Sequence, residues 1–227
     1  MWNAIAKAFQ LLFSGDPYLK SIVLTTLEMA FASSVIATAI GAPLGILLGI
    51  SRFKGKSILT TIERTLMGLP PVAIGILVYI LFSGTGPFGK LGLIYSVRLM
   101  VIAQVILITP IVSGMMDTHV SATSDILLET AKGLRLNKGK IFLLAANESK
   151  FNLIATYLFA FSRAISEVGA IQIVGGNILY RTRVMTTAIA LNYNTGQFNY
   201  ALALGFMLLI IALIVNCIAT IIQRRLK

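Results

Sequence analysis

The chain has 227 residues, 57% of them hydrophobic and only 12% charged, with a formal net charge of +11 and a mean hydropathy of +0.88. Soluble domains carry about twice that charge fraction. The apolar residues gather into runs of ~20 or more, enough to cross ~30 Å of hydrocarbon as helices, and the ~10-residue alternation of barrel strands is missing. A soluble domain and a transmembrane barrel are both excluded. The fold class is all-α, a polytopic membrane protein. The Lys and Arg residues stand beside the apolar runs, which is a pattern of topology rather than of nucleic-acid binding. Cys217 is the only cysteine, so neither a disulfide nor a thiolate metal site is expected.

Residues 1–13 are short and amphipathic without a small-residue cleavage pattern, so no cleavable signal peptide is expected. Five spans follow, at about 21–50, 57–82, 93–116, 141–161 and 198–222, in what reads as one transmembrane domain over 1–227. In the first, Gly41, Gly45 and Gly49 repeat every four residues, a small-residue stripe that admits a close neighbouring helix. Pro43 interrupts the same span. Pro70–Pro71 in the second and Thr109–Pro110 in the third are each expected to kink or end a helix, because proline lacks a donor and clashes with the preceding turn.

Between the third and fourth spans, residues 123–136 read as a separate short charged helix. Asp125, Glu129 and Lys132 share one face, Leu127, Ala131 and Leu134 another, and Thr123 or Ser124 can cap its start. A membrane protein that keeps such a helix between two spans presents it to a soluble partner. Residues 162–196, before the last span, are too broken by Gly, Asn and Arg to cross cleanly.

Charge sets the orientation. Twelve of the nineteen basic residues fall after span one, after span three or in the tail. By the positive-inside rule the N-terminus lies outside, the C-terminus inside, and 123–136 in the cytoplasm. Glu167 is ionisable at membrane depth, a functional candidate by default, and Arg163 lies four residues earlier on the same helical face. That pair either holds the fourth helix to its neighbours or lines a pathway. Gly169, Gly175 and Gly176 permit close approach or positive φ, which suits a tight turn re-entering the cavity better than an anion nest. Arg181 and Arg183 fall near the outer mouth, to attract an anion or to meet a binding protein or lipid. Glu28 and Glu63 either pair with nearby bases or are solvated near helix ends, and the lone His119 has no metal-ligand companions. The chain has no phosphate-binding loop, Ser-His-Asp set or paired-carboxylate site. An enzyme is not expected, and any energy from ATP must come from another polypeptide.

Two motifs carry a resemblance. Glu129-Thr130-Ala131 resembles the start of the Glu-Ala-Ala coupling motif of type I ATP-binding-cassette importer permeases, with Arg135 where that family has glycine and Gly133 two residues earlier. The run from Arg163 to Ile178, with Ser166-Glu167-Val168-Gly169-Ala170 and then Gly175-Gly176-Asn177, resembles the molybdate, sulfate and tungstate group, nearest its tungstate branch. Arg181-Thr182 and Thr186-Thr187-Ala188-Ile189 follow the same branch. The resemblance implies a type I permease fold and alternating-access import of tungstate, with molybdate second. It places ATPase coupling on Asp125, Glu129, Thr130, Ala131, Lys132, Gly133 and Arg135. It places the pathway or gate at Arg163, Glu167, Gly169, Gly175, Gly176 and Asn177. It implies a second copy of the chain, two cytoplasmic ATPase subunits and an extracytoplasmic oxyanion-binding protein in a cell (inner) membrane. No cofactor belongs to this chain, ATP and Mg being used by the ATPase. The rival reading is a stand-alone ion-coupled carrier or channel, which predicts inverted repeats and more buried ionisable residues.

Overall fold

The structure, a computed structural model, describes residues 16–225. Among them the chain is helical, without strands. Helix α1 (Pro17–Ile50) starts where the Asp16 side chain accepts from the Tyr18 amide at 2.9 Å and Pro17 occupies the first turn, where its missing N–H costs nothing. It runs 34 residues and continues through Pro43. Helix α4 (Val97–Gly133) is longer, 37 residues capped by Ser96, and passes through Pro110. Pro43, expected to interrupt its span, and Pro110, expected to kink or end a helix, end neither: helical pairing continues on both sides of each.

These two long helices form the centre of the fold, joined along the glycine stripe. A Cβ on Gly41 would meet the Thr109 carbonyl oxygen at 2.7 Å, and one on Gly49 would meet the Val120 side chain at 2.6 Å. Gly45 sits still closer to the Ser113 carbonyl, and a Cβ on it would meet Met116 Cβ at 2.7 Å. Hydrocarbon offers helices no hydrophobic drive to associate, so such backbone proximity supplies the attraction through dispersion. Ala30, Ala37, Met100, Ala103, Val112 and Met116 fill the same seam, all fully buried.

The second span is not one rod. Helix α2 (Lys56–Met67) and helix α3 (Pro71–Phe82) meet at 92°, because Pro70 holds an extended ψ of 121° and Pro71 has no amide to continue the ladder. The fourth span also differs from its expected single segment. Helix α5 (Lys138–Glu148), capped by Asn137, gives way at buried Ser149 to helix α6 (Lys150–Ser166). Helix α6 bends 59° into helix α7 (Gly169–Gly175). Helix α8 (Met185–Asn194) and helix α9 (Phe198–Arg225) complete the chain. Three helices, α1, α4 and residues 198–217 of α9, are long and apolar enough to cross a membrane alone, and five spans result if each bent pair counts as one.

Candidate translocation and coupling sites

The two breaks lie against one another. A Cβ on Gly169, just past the α6–α7 bend, would meet Val72 Cγ2 at 2.8 Å, and Val72 is just past the α2–α3 bend. One turn further on, a Cβ on Gly75 of α3 would meet Ala170 Cα of α7 at 2.8 Å. Two discontinuous helices therefore meet at their broken ends, an arrangement tolerated at membrane depth where the freed backbone groups find partners in protein.

Glu167 supplies those partners. One carboxylate oxygen takes the Arg163 guanidinium at 2.6 Å, and the other accepts from the Val168 and Ala170 amides at 3.1 and 3.3 Å. Its carbonyl accepts from Thr186 Oγ1 at 2.8 Å. At 4% exposure, Glu167 closes α6, caps α7 and binds α8, with both oxygens engaged. Between the two readings left open by the residues, the contacts are those of a brace. Gln104 adds a second brace that the sequence reading missed. Fully buried on α4, it donates to the Ala164 carbonyl at 2.8 Å and accepts from Ser33 of α1 at 2.5 Å. The available signal was a lone amide in an apolar span, which must find partners when no water can reach it.

At the far end of α7, Gly175 packs on Met100 and the chain reverses through Gly176 and Asn177, both left-handed at φ 67° and 51°. The Gly176 amide donates to Gln172 O and the Ile178 amide to Thr182 Oγ1, so the donors on either side of Asn177 are in use. Arg183 folds onto it, donating from Nε to Asn177 Oδ1 at 3.1 Å and from Nη1 to the Tyr18 hydroxyl at 3.3 Å. The guanidinium also lies 5.9 Å from the Tyr18 ring centroid. Arg183 is thereby a tether to α1. Arg181 remains exposed. The site residues thus fall in two places, with Arg163, Glu167 and Gly169 at the bend and Gly175, Gly176 and Asn177 at the turn.

The segment 123–136 is not a separate helix. Residues 123–133 are the last three turns of α4, and Thr123 and Ser124 lie inside it rather than capping it. A continuous helix satisfies every amide here, leaving no start to cap. Its faces divide as the sequence suggests, with Leu127 and Ala131 buried and Asp125, Glu129, Thr130, Lys132 and Gly133 exposed. Leu134 departs from the expected apolar face: it follows the helix and is 65% exposed. Asp125 pairs with Arg52 from the α1–α2 connection. The helix ends in a paired-hydrogen-bond stop, Leu136 N to Ala131 O at 2.9 Å and Arg135 N to Lys132 O at 3.0 Å. Arg135 holds the left-handed position of that stop at φ 50°. Gly133 is still helical and does not replace it.

Helix α2 is inverted for a helix in water. Lys56 and Glu63 face α4, while Ile58, Leu59, Ile62 and Leu66 face outward at 38–66% exposure. Lys56 Nζ donates to the Gly49 carbonyl at 3.3 Å and lies 3.9 Å from Asp117 Oδ1, which also accepts from Ser121 at 3.0 Å. Glu63, read as either paired with a base or solvated, is buried, and among the described residues one of its oxygens has no hydrogen-bond partner. No group of His, Cys, Asp and Glu able to hold a metal occurs among the described residues.

Residues 41–227 match the family described as binding-protein-dependent transport system inner membrane component. The chain belongs to that family. It is 37% identical over 216 residues to a tungstate uptake system permease protein of Peptoclostridium acidaminophilum, covering 95% of both chains. It is 36% identical to a tungstate uptake system permease protein of Campylobacter jejuni, covering 99% of this chain and 94% of that one. A probable anion ABC transporter permease protein of Haloferax volcanii is 34% identical over 88% of this chain and 89% of its own. The broken helices and the exposed end of α4 are thus parts of a multi-pass membrane permease, a transport component.

Proposed function

We propose that this chain is the membrane-spanning subunit of an ATP-driven oxyanion importer, carrying tungstate first and molybdate second. The observation that carries the reading is similarity of 36–37% to two tungstate permeases over nearly the whole chain. The geometry supports it physically. Two bent helices meet at one junction, and repacking at such a junction would give the two arrangements that alternating access requires. The last three turns of α4 present Glu129, Thr130 and Lys132 to a soluble partner while the same rigid helix continues past the bends. Force applied at one end of a 37-residue helix is delivered at the other. The assembly in this reading has two copies of the chain, two cytoplasmic ATPase subunits that use ATP and Mg, and an oxyanion-binding protein outside. The N-terminus is outside and the C-terminus in the cytoplasm.

Tungstate and molybdate share size and charge, and a difference of ~1.4 kcal/mol is already tenfold in preference. The binding protein supplies that difference. Uptake by the reconstituted complex with its own binding protein should favour tungstate, then molybdate, with sulfate excluded. Equal transport of sulfate would refute the anion assignment and leave the importer standing. Purification from native membranes without a stoichiometric ATPase would refute the importer itself.

A further inference from the structure

A cavity of about 880 Å³ opens between α1, the turn before α4 and the first turns of α4, at the end opposite the coupling segment. Its charged lining is Glu28 of α1, Arg98 of α4 and Arg181 of the turn before α8. Neither motif of the family resemblance includes Glu28 or Arg98.

Of Arg52, Arg64, Arg98, Arg135, Arg163, Arg181 and Arg183, three are paired and four are exposed without a side-chain ion pair or hydrogen bond among the described residues. Arg52 pairs with Asp125, Arg163 with Glu167, and Arg183 with Asn177 and Tyr18. Arg98 and Arg181 are exposed, and among the described residues neither side chain has an ion pair or a hydrogen bond. Both line the one cavity. A guanidinium is a planar fork of donors that matches the oxygens of an oxyanion in pairs, and a cleft with low-dielectric walls concentrates the field of its charges. Glu28 in the same lining reduces the net charge to one positive. A site so balanced attracts a dianion without holding it, which suits a group that must pass it on.

We propose that this cavity is an oxyanion-collecting vestibule. Arg98 and Arg181 draw a divalent oxyanion into the pathway and Glu28 keeps the residence short. The proposal rests on the importer reading for the direction of travel but not for the attraction itself.

The test uses the permease–ATPase complex in liposomes without binding protein, with Cys217→Ser and Leu91→Cys. Leu91 lines the cavity and is 60% exposed. At low salt a sulfonate-bearing thiol reagent should label Cys at this position roughly tenfold faster than a trimethylammonium reagent of the same reactivity. Millimolar tungstate should slow the sulfonate reagent. Adding Arg98→Gln and Arg181→Gln should abolish both effects, whereas Glu28→Gln should widen the ratio. With binding protein present, the double arginine variant should lower uptake at limiting tungstate about tenfold and leave basal ATP hydrolysis unchanged. Equal labelling by the two reagents overturns the proposal, as does a ratio that survives the loss of both arginines. A double variant that labels like the parent but no longer associates with the binding protein also overturns it, assigning the arginines to a protein partner instead. Charge-selective labelling in a complex that moves no oxyanion upholds the attraction and overturns the importer reading.

Discussion

Glu167 shows how a buried charge is made tolerable at membrane depth. Its carboxylate takes one guanidinium and two amides, and the amides belong to a helix end that would otherwise leave them unpaired. Glu167→Ala removes the cap, worth about 1 kcal/mol, and a charge-assisted hydrogen bond worth about 1.5–3 kcal/mol. It should therefore lower the thermal stability of the purified protein by about 2–4 kcal/mol. Glu167→Gln keeps an oxygen to accept from Val168 and Ala170 and should lose half of that or less. Melting curves in detergent check the order, and Ala and Gln variants as stable as the parent would show that the bend is held by packing alone. Arg183 carries the complementary lesson. Its position in the sequence suggests a free charge at an outer mouth, but the Tyr18 ring and Asn177 bring it back against α1. A residue's neighbours 165 positions away decide its role.

At the scale of elements, two stops matter most. Pro70–Pro71 ends α2 and turns the chain 92°, while the stop after α4 is built on Arg135 in a conformation that glycine adopts at no steric cost. A non-glycine residue there costs on the order of 1 kcal/mol. Arg135→Gly should raise the melting midpoint by a corresponding few degrees. If coupling depends on the arginine, ATP hydrolysis stimulated by loaded binding protein will fall in the same variant. Glu129, exposed on the last turns of α4, tests that coupling directly. Glu129→Lys should abolish assembly or substrate-stimulated ATP hydrolysis and leave the permease as stable in detergent as before, since the side chain has no buried contact. Normal transport by this variant would make the end of α4 a solvated connector. The α1–α4 seam shows why the glycine stripe could be read early: a four-residue repeat of small residues has few uses in hydrocarbon other than close approach. The inverted α2 was not legible in the same way, because its alternation of apolar and polar residues indicates two faces and not which of them meets protein.

For the whole molecule, orientation is the claim with the widest consequences. The proposed orientation, with the end of α4 in the cytoplasm, rests on the positive-inside rule applied to twelve of nineteen basic residues. With Cys217→Ser as background, an impermeant thiol reagent added outside should modify a cysteine at Gly89 and not one at Gly139. The opposite pattern would place the α4 extension away from any cytoplasmic ATPase and end the coupling assignment. The same orientation places Ser14 outside, a position that lies beyond the described residues.

The sequence by itself determined the membrane class, the glycine seam, the proline bend, the polar and apolar faces of 123–133 and the nature of the transport component. Each of these depends on composition or on residues within a few turns of one another, where periodicity and backbone chemistry act locally. Only the tertiary structure decided that 123–133 continues α4, that the two bends touch, that Gln104 and Glu167 brace them, and that Arg183 is a tether while Arg98 and Arg181 share a cavity. The Gln104 brace and the Arg183 tether depend on groups brought together from positions 60 to 165 residues apart, and in a low-dielectric interior such partners determine whether a polar group is a brace, a tether or a free site.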